Sequence, residues 1–280
     1  MRMMIKLIAV MLLCVAPVMA ADDQYFNSNG VKIRYTDQGT GDPVILVHGF
    51  EVTIEHEWVE TGVLQKLVPD YRVIAIDERG LGKSDKPHDS SAYGAEMGMD
   101  VLRLMDHLKI HKAHIVGYSL GAGIVAKLVS EHPERFYTAT VGGGAGRSSS
   151  EPTQPPPPAA NGTPAPDLNA RLAALDKGEM TKQEIDMNND PAALAAILRS
   201  QSNSAWDDAK MKAVKVPILA VVGSNDPGLS GAKNLQSAQP SVKLVVIDRA
   251  THAGDTGALK RPEFSAAILD FLAANPPPRR

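Results

Sequence analysis

The residues best placed to do chemistry are Gly117-Tyr118-Ser119-Leu120-Gly121, a G-x-S-x-G pentapeptide inside a 280-residue chain. A short β-branched run, Ile115-Val116, precedes it; a helical pattern with Leu120, Ile124, Leu128 and Val129 on one face follows. A serine in so tight a strand-to-helix turn takes strained backbone angles that lift its hydroxyl clear of the sheet. Side chains two residues to either side would strike the neighbouring strand and helix, so glycine is required at Gly117 and Gly121. The helix start behind the serine aims free N–H groups at any oxyanion forming there. A chance match in a glycine-rich loop is the competing reading, and the flanking strand and helix weigh against it.

Four other polar residues recur at the same kind of place. His48 ends the apolar run Val44 to Val47, and the turn His48-Gly49-Phe50 can offer the Phe50 N–H to a pocket above the sheet edge. The His48 side chain itself reads as a brace for that turn. Asp77 follows the strand pattern from Arg72 and opens Glu78-Arg79-Gly80-Leu81-Gly82-Lys83-Ser84, whose glycines read as a tight bend and not a phosphate loop. Asp226 follows Val216 to Val222 in G-S-N-D, and His252 follows the strand Val242 to Ile247. Ligand sites in parallel sheets lie beyond the carboxyl ends of the strands, so these five residues should converge on one edge.

The elements that must hold them alternate in type. Asn29-Gly30 marks a hairpin between two alternating runs, with Val31, Ile33 and Tyr35 on one face of the second. Helices are expected over Glu57 to Val68, Ala95 to Leu108, Ala232 to Ala238 and Pro262 to Ala274, and a strand over Tyr137 to Val141. This is an α/β pattern: a mostly parallel eight-stranded sheet flanked by helices. After the sixth strand the composition changes, with Ser148-Ser149-Ser150, four prolines from Pro155, and short helices over Ala170 to Leu175 and Pro191 to Arg199. Residues 147–208 therefore read as a cap inserted into a core of 21–146 and 209–280. Asn161-Gly162-Thr163 is a sequon by pattern only.

With 29 basic against 32 acidic residues, the chain has no electrostatic footprint for nucleic acid. Arg2 and Lys6, the apolar stretch Leu7 to Ala16, and Val18-Met19-Ala20 read as a signal peptide, residues 1–20, cleaved after Ala20. Export to a bacterial periplasm or beyond is expected, with no stable membrane anchor afterwards. Cys14, the only cysteine, would leave with that segment. His107, His111 and His114 would not share a face, and Glu51, Glu55, His56 and Glu57 show no compact ligand spacing. No metal site is expected, and those acids read as solvated loop charges.

Taken together, H-G-F at 48–50, D-E-R-G-L-G-K-S at 77–84, G-Y-S-L-G at 117–121, Asp226 and His252 make the chain resemble the α/β-hydrolase family. The resemblance covers nearly all of the expected mature chain except the insertion. It implies a cofactor-free serine hydrolase of a small acyl substrate, a carboxylic ester foremost. In that reading Ser119 is the nucleophile, His252 the base, Asp226 the acid, and the N–H groups of Phe50 and Leu120 the oxyanion hole. Asp248 and Asp255 flank the histidine but are less well placed than Asp226. A lactone or amide hydrolase, a perhydrolase of haloperoxidase type, and a non-catalytic binding protein on the same scaffold are the alternatives. Glu51 is expected near the pocket mouth, repelling anions or facing solvent.

Overall fold

The computed structural model describes residues 22–151, 167–200 and 205–278. Asn29 and Gly30 both take positive φ, 53° and 90°, as a two-residue hairpin requires. They fold β1 (Gln24–Ser28) onto β2 (Val31–Gln38). With β3 (Pro43–Val47), β4 (Arg72–Ile76), β5 (Ala113–Tyr118), β6 (Phe136–Gly142), β7 (Ile218–Gly223) and β8 (Lys243–Ile247) these make one sheet of eight strands. Its order is β1-β2-β4-β3-β5-β6-β7-β8. β2 is antiparallel to both neighbours, and the strands from β4 to β8 pair in parallel. The mostly parallel, eight-stranded architecture expected from the sequence is the one observed.

Successive side chains in a strand point to opposite faces, and both faces here are covered. Ile45, Val47, Ile74, Ile76, Ala220 and Val222 face one core, under α2 (Ala95–His107), α3 (Leu120–Glu131) and α8 (Leu229–Ala238). Their alternates Val44, Leu46, Val73, Ala75, Leu219 and Val221 face the other, under α1 (Val63–Leu67) and α9 (Pro262–Ala274). Burial on both sides is why these strands read as continuous apolar runs.

Two expectations need correction. The helix expected over 57–68 is a wide turn of π type at Glu55–Val59 followed by the separate α1, with Gly62 at φ 79° between them. That arrangement turns Glu57 and Trp58 into the protein, where both are buried. Between β6 and β7, α4 (Leu168–Asp176) and α6 (Pro191–Ser200) match the two short helices foreseen, but α5 (Lys182–Asp186) and α7 (Asp208–Ala213) were not foreseen. Each carries a start signal in the sequence: Thr181 and Glu184 form a reciprocal capping box, and Asp207 accepts from the Lys210 N–H. The expected signal segment 1–20, the prolines from Pro155 and the sequon pattern at Asn161 lie outside the described residues.

Candidate active site

Ser119 sits at the carboxyl end of β5 with φ 54° and ψ −115°, a conformation a non-glycine residue rarely adopts. The crowding around it explains the two glycines. A Cβ on Gly117 would lie 2.3 Å from the Gly121 carbonyl oxygen, and one on Gly121 would lie 2.1 Å from that of Val47. The first clash is with the helix behind the serine and the second with β3.

From the loop after β8, His252 brings its Nε2 to 2.9 Å from Ser119 Oγ. Its Nδ1 lies 2.9 Å and 3.0 Å from the two carboxylate oxygens of Asp226, in the loop after β7. A carboxylate only accepts, so Nδ1 carries the proton and Nε2 faces the hydroxyl as an acceptor. Tyr118 supports the imidazole: the ring centroids are 5.3 Å apart, and the phenol donates to the His252 carbonyl oxygen at 2.5 Å. Gly143 leaves room for both, since a Cβ there would approach Tyr118 Cζ to 2.7 Å and His252 Cε1 to 3.0 Å. Burial alone would favour a neutral ring, but the hydrogen bond and charge of Asp226, with Glu57, raise the His252 pKa above its ordinary value. The other two candidate acids point elsewhere: Asp248 is exposed beside Arg249, and Asp255 is exposed beside Lys260.

The turn after β3 stands across from the serine. His48 is fully buried, its Nδ1 2.8 Å from the Gly49 carbonyl oxygen and its Nε2 3.2 Å from the Glu78 nitrogen and 3.5 Å from Asp77 Oδ1. The Phe50 and Leu120 N–H groups have no hydrogen-bond partner among the described residues, and Phe50 lines the pocket beside Ser119. Leu120 is the first residue of α3, where helix geometry leaves the N–H free. Asp77 does not reach this pocket. It is buried and accepts from Arg34 Nη1 at 2.9 Å, the Ile54 N–H at 3.0 Å and the Lys83 N–H at 2.9 Å. Burial alone would raise its pKa, but His48, the Lys83 N–H and Arg34 hold it well below the usual carboxylate range.

The acids of the 51–57 stretch each have a protein partner, and one of them, Glu57, is buried. Glu57 is 6% exposed and its Oε1 accepts from the Gly49 N–H at 3.1 Å. Glu55 pairs with Arg34. Glu51 is half-buried, its carboxylate 3.6 Å from Arg171 of α4, and it does not line the pocket. The three histidines separate: His107 stacks on Phe26, and His114 Nδ1 lies 2.8 Å from Thr138 Oγ1. Among the described residues no cluster of His, Cys, Asp or Glu could hold a metal ion. A cavity of about 190 Å³ opens over Ser119 and His252, walled by Phe50, Val52, Glu57, Tyr118, Leu259 and Lys260. An imidazole–carboxylate pair against a hydroxyl beside two free N–H groups is an arrangement suited to acyl transfer.

Residues 42–165 match the family model of the alpha/beta hydrolase fold. The chain belongs to the α/β-hydrolase family. This α/β-hydrolase is 36% identical to a putative non-heme chloroperoxidase of Synechocystis sp., over 38% of its own length and 37% of that protein. It is 27% identical to a 2-hydroxy-6-oxo-6-(2'-aminophenyl)hexa-2,4-dienoic acid hydrolase of Metapseudomonas resinovorans, over 90% of its own length and 91% of that protein. A solved structure from work on carboxylesterases of the thaumarchaeon Nitrososphaera gargenis superposes with a TM-score of 0.71 at 20% identity. It covers 90% of this chain and 98% of that one, a likeness of fold. Across four of the curated relatives the match spans only 30% to 41% of the relative's own length.

Proposed function

We propose that this α/β-hydrolase cleaves a carboxylic ester of a small molecule through an acyl-enzyme on Ser119. The observation that carries the reading is the 2.9 Å approach of Ser119 Oγ to His252 Nε2, with Asp226 on the opposite ring nitrogen. Ser119 Oγ attacks the ester carbonyl carbon as His252 takes its proton, and the carbonyl electron pair moves onto oxygen. The Phe50 and Leu120 N–H groups receive that oxyanion, each such donor contributing roughly 2.7–4 kcal/mol. Collapse expels the alcohol, which takes the proton from His252. Water then attacks the acyl-enzyme with His252 as base, and the acid leaves. Asp226 holds the productive tautomer and stabilises the imidazolium.

Hydrolysis of a carbon–carbon bond next to a ketone in an acidic substrate is the second reading. The match over 90% of the chain to a dienoic acid hydrolase favours it. For location, the positive start at Arg2 and Lys6, the apolar stretch behind it and Val18-Met19-Ala20 support export with cleavage after Ala20.

The test is hydrolysis of p-nitrophenyl acetate and butyrate by the protein and by Ser119→Ala, with fluorophosphonate labelling read by mass spectrometry. Turnover confined to the unsubstituted protein, with label on Ser119, is the expected result. Equal rates for the two proteins would discard Ser119 as the nucleophile.

A further inference from the structure

Glu57 takes no part in the acyl-transfer steps, yet it sets a carboxyl group in the wall of the Ser119 pocket. Gly49 is wedged between it and the nucleophile: a Cβ on Gly49 would lie 3.2 Å from Glu57 Oε1 and 3.2 Å from Ser119 Cβ. The carboxyl oxygen and the Ser119 Cβ are thus separated by no more than twice that distance. The Gly49 N–H bonded to Oε1 keeps the group there. Around the cavity the charges are lopsided. Glu60, 3.3 Å from His56 Nδ1, adds a second and exposed carboxylate, and Lys260, the one lysine or arginine among the lining residues, is 3.1 Å from the exposed Asp255. No lining residue offers an unpaired guanidinium or ammonium group to a substrate carboxylate.

We propose that Glu57 is a charge filter, which makes the substrates of this pocket neutral or cationic esters and rejects those with a negative charge close to the reacting carbonyl. The inference rests on the Ser119 reading above. It separates this site from the acidic substrate of the second reading. A charge so near the reacting atoms, at the reduced dielectric of a pocket wall, changes relative rates by about tenfold or more.

The filter has a pH dependence. Burial pushes the Glu57 carboxyl up to about 7, against the pull of His48 after β3, the Gly49 N–H and His252 after β8. Tyr118 of β5 and Glu78 after β4 also face it, and His56 and Glu60 share its own helical turn. Glu57 is therefore neutral below about pH 7 and charged above it. Discrimination against anions grows as pH rises.

The experiment compares kcat/KM for paired substrates of opposite charge. One pair carries the charge on the acyl chain: p-nitrophenyl hemiglutarate and p-nitrophenyl 4-(trimethylammonio)butyrate. The other carries it on the alcohol: sulfoethyl butyrate and butyrylcholine. In at least one pair the cationic-to-anionic ratio is expected to rise roughly tenfold between about pH 6 and about pH 8, and to be flat and lower in Glu57→Gln. Titration of His252 acts on both members of a pair and cancels in the ratio. The pH course of the unsubstituted protein tests the idea whether or not the variant folds. A ratio independent of pH in both pairs would overturn the filter while neutral p-nitrophenyl butyrate still turns over. Absence of Ser119-dependent turnover of that neutral ester would remove the hydrolase reading and the filter together.

Discussion

The side-chain amide of Asn189 donates to the backbone carbonyl oxygen of Glu51 at 2.9 Å, tying the segment between α5 and α6 to the turn that carries Phe50. Glu51 has φ 66°, unfavourable for a residue with a Cβ. Arg171 approaches its carboxylate from α4 and also pairs with Glu184. A strained turn is thus held by the helical segment between β6 and β7. Loss of that one hydrogen bond, worth about 0.5–1.5 kcal/mol, should lower kcat of Asn189→Ala roughly two- to tenfold with a smaller change in KM. Glu51→Gly removes the strain, and adding it to Asn189→Ala should restore part of the loss. Steady-state kinetics of the two single variants and the double variant check this.

Ser119→Ala and Ser119→Gly both delete the hydroxyl and should both be inactive. They differ by a Cβ at a position with φ 54°. Such a conformation costs a residue with a side chain about 1–3 kcal/mol, partly offset by the greater unfolded-state freedom of glycine. Ser119→Gly should therefore be the more stable of the two by about 1 kcal/mol, measured by denaturant unfolding.

His252 must be neutral to accept the Ser119 proton. Because Asp226 and Glu57 raise its pKa, the rising limb of kcat/KM should lie above the ordinary histidine value of 6.5. In Asp226→Asn that limb should move to lower pH as kcat falls steeply. The same shift means that protonated His252 stabilises the fold at low pH and that this contribution is lost as pH rises through the folded-state pKa. A pH–rate profile and unfolding curves across the same range read both effects.

Glu78 is fully enclosed, and neither carboxyl oxygen has a hydrogen-bond partner among the described residues. Burial pushes its pKa up to about 8; His48 opposes this, while Asp100, Glu57 and Asp77 add to it. A folded-state pKa above the unfolded value means that the folded protein binds more protons between about 4.5 and about 8, so stability falls as pH rises through that window. Glu78→Gln removes this slope. The variant should gain on the unsubstituted protein with rising pH, by roughly 1–3 kcal/mol at the alkaline end. Urea midpoints on either side of the window measure it.

Features set by a few neighbouring residues were readable before any coordinates. The strand-to-helix turn at Ser119 was one, because glycines at 117 and 121 answer clashes with backbone close by. The Asn29-Gly30 hairpin was another, because positive φ at two adjacent residues is a local demand. Asp226 and His252 were found through topology, since each follows a parallel strand whose end must open on the same edge.

Charge was the part that did not read correctly. Glu57 and Glu55 look like any surface acids in the sequence, and a carboxylate leaves the same pattern whether water or protein surrounds it. Its burial follows from the break at Gly62 and from a partner, the Gly49 N–H, in the preceding turn. Arg34 is similar: one guanidinium in a strand gathers Asp23, Glu55 and Asp77 from three separate segments. The Asn189–Glu51 bond joins residues 138 positions apart. Backbone strain and strand periodicity are short-range quantities and so are written in adjacent residues. Which buried polar groups meet, and how far each pKa moves, depends on distances between segments remote in the chain, and those distances exist only once the sheet and the helices around it are assembled.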